Sequence, residues 1–238
     1  MEQYLFDRSR FSGTDEHENP KDGSLYALIW NALNKYPTAK ELADDMPFTF
    51  ITYNYDRSLE HYLYKVMENF YCSQDEAFQQ IIYDNIFHVH GCLGEYRSNL
   101  HSNDNCRNYV GRLDEDHVKL AANQIKVIHE VKDLPSDKEI QQRLHDAQRI
   151  VFLGCAFWED NIKRLFDPYG EPGGPLDIST FGSTHGLTYL EANMAKERLT
   201  RYIRSDCLNV GTTRGKVPEN TNKMKCCTYL REAVGIES

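Results

Sequence analysis

"FTFITYNYDRSLEHYL" at 48–63 changes character partway through. Its opening, "FTFITY" at 48–53, is β-branched and aromatic without a charge, as expected of a strand buried on both faces in a parallel sheet. Beyond it, Leu59, Tyr62, Leu63, Val66, Met67 and Phe70 recur at helical spacing and form one apolar stripe. Between strand and helix stand Asn54, Tyr55 and Asp56, residues able to do chemistry at the point where the strand hands over to its helix.

The same order recurs along the chain. Leu25, Leu28, Ile29 and Leu33 predict a helix that Pro37 closes, and "TAKE" at 38–41 is a capping box for a short helix ending before Pro47. "SQDE" at 73–76 is a second box, leading to a helix through Ile82 and then to a strand, "IFHVH", at 86–90. The polar stretch 94–113 reads as irregular, with helices predicted over 115–131 and, after the "SDKE" box at 136–139, over 137–147. "RIVFLG" at 149–154 is a third buried strand, followed by a helix over 159–166. "DISTFG" at 177–182 is a fourth strand, with a helix over 187–203 behind it. Strands separated by helices predict an α/β fold, a Rossmann-like, mostly parallel sheet with helices on both faces. The expectation is one domain over 1–238 with a helical excursion at about 94–147, and with the strands at 48–53, 86–90 and 149–154 adjacent in one sheet.

Composition narrows the function classes. Of 238 residues 40% are apolar and 12% aromatic, which is not the pattern of a disordered chain. A net charge of −9 opposes general nucleic-acid binding. No basic segment leads into an apolar one at the start, and no uncharged apolar stretch approaches a membrane span, so the expectation is a cytoplasmic protein. Seven cysteines without CxxC spacing read as reduced thiols.

Ligands of open parallel sheets bind outside the carboxyl ends of the strands, and the three strongest strands end in "NYD", "HG" and "GCAFWED". Asp56 stands where a helix N-cap belongs, and capping is its first reading. Asn54 reads either as a loop residue satisfying backbone groups or as a polar orienter. Gly91 lets the chain turn tightly after His90 and leaves that ring uncovered. His88 and His90 share a strand face at a metal-ligand spacing, but no third ligand stands at a fitting distance, so no metal is expected. Cys92 and Cys155 read first as packing groups.

Together "ITYNYDRSLE" at 51–60, "FHVHGCLG" at 87–94 and "IVFLGCAFWEDNI" at 150–162 resemble the sirtuin-like family, and its bacterial branch of NAD-hydrolysing anti-phage defence effectors more than its protein deacylases. "TFGSTHGL" at 180–187 is similar to the family's last strand and turn. The resemblance implies NAD as substrate, cleaved between nicotinamide and ribose, with Asn54 orienting ribose and water and His90 as the base. Asp56, Gly91, Gly154, Cys155 and Asp160 would line the nucleotide. Further implied partners are a second copy of the chain or a component of a defence system. The paired cysteines of the deacylases' zinc module are missing, which argues against a deacylase.

Two departures set limits. Ala156 stands where the family usually offers a hydroxyl to the ribose. The family also opens on a strand and a Gly-Ala-Gly loop that cradles the pyrophosphate, and nothing before Asn54 matches it, "FSGT" at 11–14 included. The expectation is a truncated form, a fragment, or a member without the phosphate cradle. Supplying a family-type first strand and glycine loop should therefore raise NAD affinity and turnover. Calorimetry and nicotinamide release on the two chains test this, and efficient hydrolysis by the shorter chain would contradict it.

Overall fold

The computed structural model describes residues 25–72, 76–96, 106–107, 119, 122, 125, 135–167, 174–184, 186–210 and 229–230. Among them the architecture is α/β, and every strand pairing in a sheet is parallel. The chain divides into two compact units, Met1–Val131 and Lys132–Ser238, where the sequence reading treats it as one domain.

The first unit runs α1 (Leu25–Leu33), α2 (Ala39–Asp44), β1 (Phe50–Thr52), α3 (Ser58–Tyr71), α4 (Glu76–Asn85), β2 (Ile86–His88), β3 (Glu95–Tyr96) and β4 (Cys106–Arg107). Thr38 caps α2 as its sequence predicts, its hydroxyl accepting the Glu41 amide at 3.2 Å. The short β3 and β4 fall where the sequence reads irregular. Of the "SQDE" box only Glu76 is among the described residues, and of the helix predicted over 115–131 only Lys119 and Ala122, both helical, and Ile125, which is not.

The buried face of α3 differs from the expected stripe. Leu63, Tyr64 and Met67 are buried together with Glu60, while Phe70 is 49% exposed. Tyr64 meets Phe78 of α4 edge-on at 6.1 Å, and Phe70 packs edge-on against Trp30 at 5.4 Å near solvent. The core gathers Leu33, Leu42, Leu63, Met67, Phe78 and Ile82 from four helices.

Against that core β1 and β2 pair in register, Phe50 with Ile86, Ile51 with Phe87 and Thr52 with His88. Their carboxyl ends are therefore level. Pairing continues one step past β2, where the Val89 amide donates to the Thr52 carbonyl at 3.0 Å. Every β1 residue is half-buried, short of the full burial expected, because β1 has a single ladder partner among the described residues.

The second unit runs α5 (Pro135–Asp146), β5 (Arg149–Phe152), α6 (Glu159–Phe166), β6 (Ser179–Gly182), α7 (Tyr189–Leu199), a 3₁₀ turn at Ser205–Cys207 and β7 (Leu208–Val210). The sheet order is β5-β6-β7. Among the described residues no pairing joins β5 to β1 or β2. Helix α5 is described from Pro135, a residue whose missing N–H suits a first helical position, two residues before the predicted start at 137. Arg164 of α6 donates to both carboxylate oxygens of Asp137 at 2.9 and 2.8 Å, tying α5 to α6. Thr188 and Glu191 form a reciprocal capping box at the head of α7. No described helix is long and apolar enough to cross a membrane.

Phe78 has no exposed surface and also stacks on Tyr71 at 5.8 Å. Phe78→Ala should lower unfolding stability by about 3–5 kcal/mol through lost burial and the cavity left behind. Urea denaturation reads this, and a loss below about 1 kcal/mol would mean that the α3–α4 contact is not central.

Candidate functional site

The turn between β1 and α3 is held at three consecutive residues, Asn54, Tyr55 and Asp56. The Asn54 amide donates to Thr52 Oγ1 at 3.0 Å. The Tyr55 carbonyl accepts the Leu93 amide at 2.9 Å. Asp56 caps the helix from one position earlier than the standard site: its Oδ1 accepts the Ser58 amide at 3.1 Å and the Ser58 hydroxyl, while Arg57 at the cap position makes no side-chain cap bond. Because Ser58 gives its hydrogen to Asp56, the Tyr26 hydroxyl donates to Ser58 at 2.6 Å. Burial above all raises the Tyr26 pKa; the Ser58 bond opposes this and the charges of Asp56 and Glu60 add to it. Tyr26 thus stays a neutral donor. With the backbone committed, the Asn54 residue stands exposed at the carboxyl end of β1.

A charged pair braces this turn from beneath. His88 Nδ1 lies 2.7 Å from the Asn54 carbonyl oxygen, and Nε2 lies 2.5 Å from Glu60 Oε1, with side chains only 9% and 7% exposed. A carbonyl only accepts, so Nδ1 carries a hydrogen. Nε2 then faces a carboxyl oxygen, and one proton must lie between the two groups. Burial pulls the imidazole towards neutrality. The Glu60 bond and charge, the Asn54 carbonyl and the Asp56 charge outweigh that pull and raise its pKa above the usual histidine value. Below that raised value His88 is the imidazolium of the pair. With both nitrogens engaged, it has no lone pair for a metal. Among the described residues no group of three His, Cys, Asp or Glu side chains is arranged to hold a metal ion.

His90 sits in the turn two residues past β2, at the same end of the ladder as Asn54. Gly91 takes φ 79°, the left-handed conformation that a tight turn uses, and its amide donates to the His88 carbonyl at 3.2 Å. The ring is not uncovered as the sequence implies. His90 is 7% exposed, with the Tyr53 and Tyr55 rings at 5.7 and 6.5 Å.

Asn54, Asp56, His90 and Gly91 thus share one end of the β1–β2 ladder. Gly154, Cys155 and Asp160 belong to the second unit, in the turn from β5 to α6. Gly154 takes φ 60° with nothing within 4 Å of an added Cβ, so its requirement is conformational. Cys155 Sγ accepts the Phe157 amide at 3.3 Å, and burial raises its thiol pKa against that bond. Asp160 is exposed in the first turn of α6, where a carboxylate complements the helix dipole.

Comparison of the chain with family models, curated proteins and solved structures gives no match. The residue that sequence reasoning missed is Glu60. Its signal is present: it precedes Leu63, Tyr64 and Met67 by three, four and seven positions, so a carboxylate sits on the apolar face of α3. Fully buried Arg57 joins it in the first turn of the helix and the residue before it.

A raised His88 pKa has a definite sign for stability. The pair's contribution is complete below the ordinary value of 6.5 and is lost as pH rises through the folded-state value, because the native chain holds the proton longer. Urea titrations across that window should show stability falling by about 1.4 kcal/mol per pH unit for this proton. Glu60→Gln should flatten the dependence; equal slopes in both proteins would remove His88 as its source.

Proposed function

We propose that the carboxyl end of the β1–β2 ladder is a nucleotide site, and that its reaction is hydrolysis of NAD to nicotinamide and ADP-ribose. The observation carrying this reading is the level register of the two strands, which sets Asn54 and His90 at the same end. The resemblance to the sirtuin-like effectors supplies the substrate. In this reading the C–N bond between ribose and nicotinamide breaks, nicotinamide leaves with the bonding pair, and water adds to the ribose carbon. Asn54 orients ribose and water, and His90 takes the proton that the water loses. The anchored backbone of residues 54–56 suits such a task, since an orienting amide is useful only when its main chain is fixed.

The burial of His90 under Tyr53 and Tyr55 favours a second reading, a nucleotide-binding or assembly module of the same fold without turnover. A metal-dependent hydrolase using His88 is disfavoured by the engagement of both ring nitrogens.

His90→Ala should lower nicotinamide release by about two to four orders of magnitude, and Asn54→Ala should be severely impaired. Near-wild-type release from either variant would take that residue out of its role. NAD binding by calorimetry without any release from the wild type would establish the second reading in place of the first.

A further inference from the structure

We propose that Glu60 and His88 are positioning residues of this site, a charged clasp that fixes the Asn54–Asp56 turn where the nucleotide meets it. As a part of a nucleotide site the clasp rests on the reading above; as a device that holds the turn it stands on geometry alone. Its parts come from three places. Glu60 lies in the first turn of α3, His88 ends β2, and the Asn54 carbonyl lies in the turn after β1. The imidazolium spans the three, one N–H donating to the turn and the other to the helix carboxylate, so the strand end ties both together. The titratable groups acting on His88 are Glu60 and Asp56, with Tyr26 of α1 joined to Asp56 through Ser58.

Stability does not account for the pair. Glu60 Oε2 is buried without a hydrogen-bond partner among the described residues, an arrangement that an apolar side chain on the same helix face would avoid. Buried ion pairs are commonly matched or exceeded in stability by well-packed apolar replacements. What apolar packing would not reproduce is direction. An imidazolium between a carboxylate and a carbonyl fixes both acceptors along the ring's N–H vectors. The adjoining Asn54 amide, bound to Thr52 Oγ1, completes the hold on this exposed residue.

The test is NMR on the whole chain, following the His88 ring nitrogens through a pH titration and exchange of the Leu93 amide, which donates to the Tyr55 carbonyl in the same turn. In the wild type His88 should keep both protons to a pH above 6.5. In Glu60→Gln its titration should fall well below the wild-type value, since burial is then opposed only by the Asn54 carbonyl and the Asp56 charge. Leu93 exchange should quicken about tenfold, the measure of one lost charge-assisted increment. If the variant does not fold, the wild type alone decides: Leu93 protection, corrected for intrinsic base catalysis, should fall as His88 loses its proton. A wild-type His88 that titrates at or below 6.5, or Leu93 exchange indifferent to Glu60→Gln or to that deprotonation, overturns the clasp. For the nucleotide role, Glu60→Gln should raise KM for NAD while His90→Ala lowers kcat. An unchanged KM overturns that role, and a wild type inert towards NAD counts against the nucleotide reading, leaving the NMR result to judge the clasp.

Discussion

A carboxylate placed on the apolar face of a helix needs a proton-bearing partner, and in this chain the partner comes from the end of a strand. Glu60 takes Leu63, Tyr64 and Met67 with it into the core, and the proton it requires arrives on His88. That pair joins the first turn of α3 to the end of β2. Because the other imidazole nitrogen bonds the Asn54 carbonyl, the turn leaving β1 is held by the same group. The residues with chemical potential at this end of the ladder inherit their placement from it.

Local chemistry then finishes the turn. Thr52 accepts the Asn54 amide, Leu93 reaches back to Tyr55, and Asp56 caps α3 from one residue early. Each bond is modest alone, about 1 kcal/mol net for a typical pair. Their common effect is to remove conformational choices from three consecutive residues, the costly part of ordering a loop. The outcome is an end of the sheet with fixed main chain, an exposed Asn54 and a His90 lodged between tyrosine rings.

Much of this was legible in the sequence, and the exceptions have physical causes. The helix over 159–166 is found at those residues, because its apolar positions and flanking acids all agree. Strands at 48–53 and 86–90 were placed correctly but shorten to Phe50–Thr52 and Ile86–His88, since an apolar run marks burial and a ladder ends where the chain turns. Asp56 as a cap was readable from its place before "RSLEHYL". The Glu60–His88 pair was not, because its members stand 28 residues apart and only the parallel register brings them together. The covering of His90 was hidden for the same reason: the tyrosines come from the neighbouring turn. Strand β7 carries a polar Asn209 at its centre and gave no apolar run to notice.

The central claim is that a nucleotide meets the protein at the level carboxyl ends of β1 and β2. Amide chemical-shift mapping during titration with ADP-ribose, the non-nicotinamide product of the proposed reaction, tests it most directly. The account predicts saturable shifts at Asn54, Tyr55, Asp56 and Gly91. Shifts confined to other parts of the chain, or none at millimolar ligand, would contradict it.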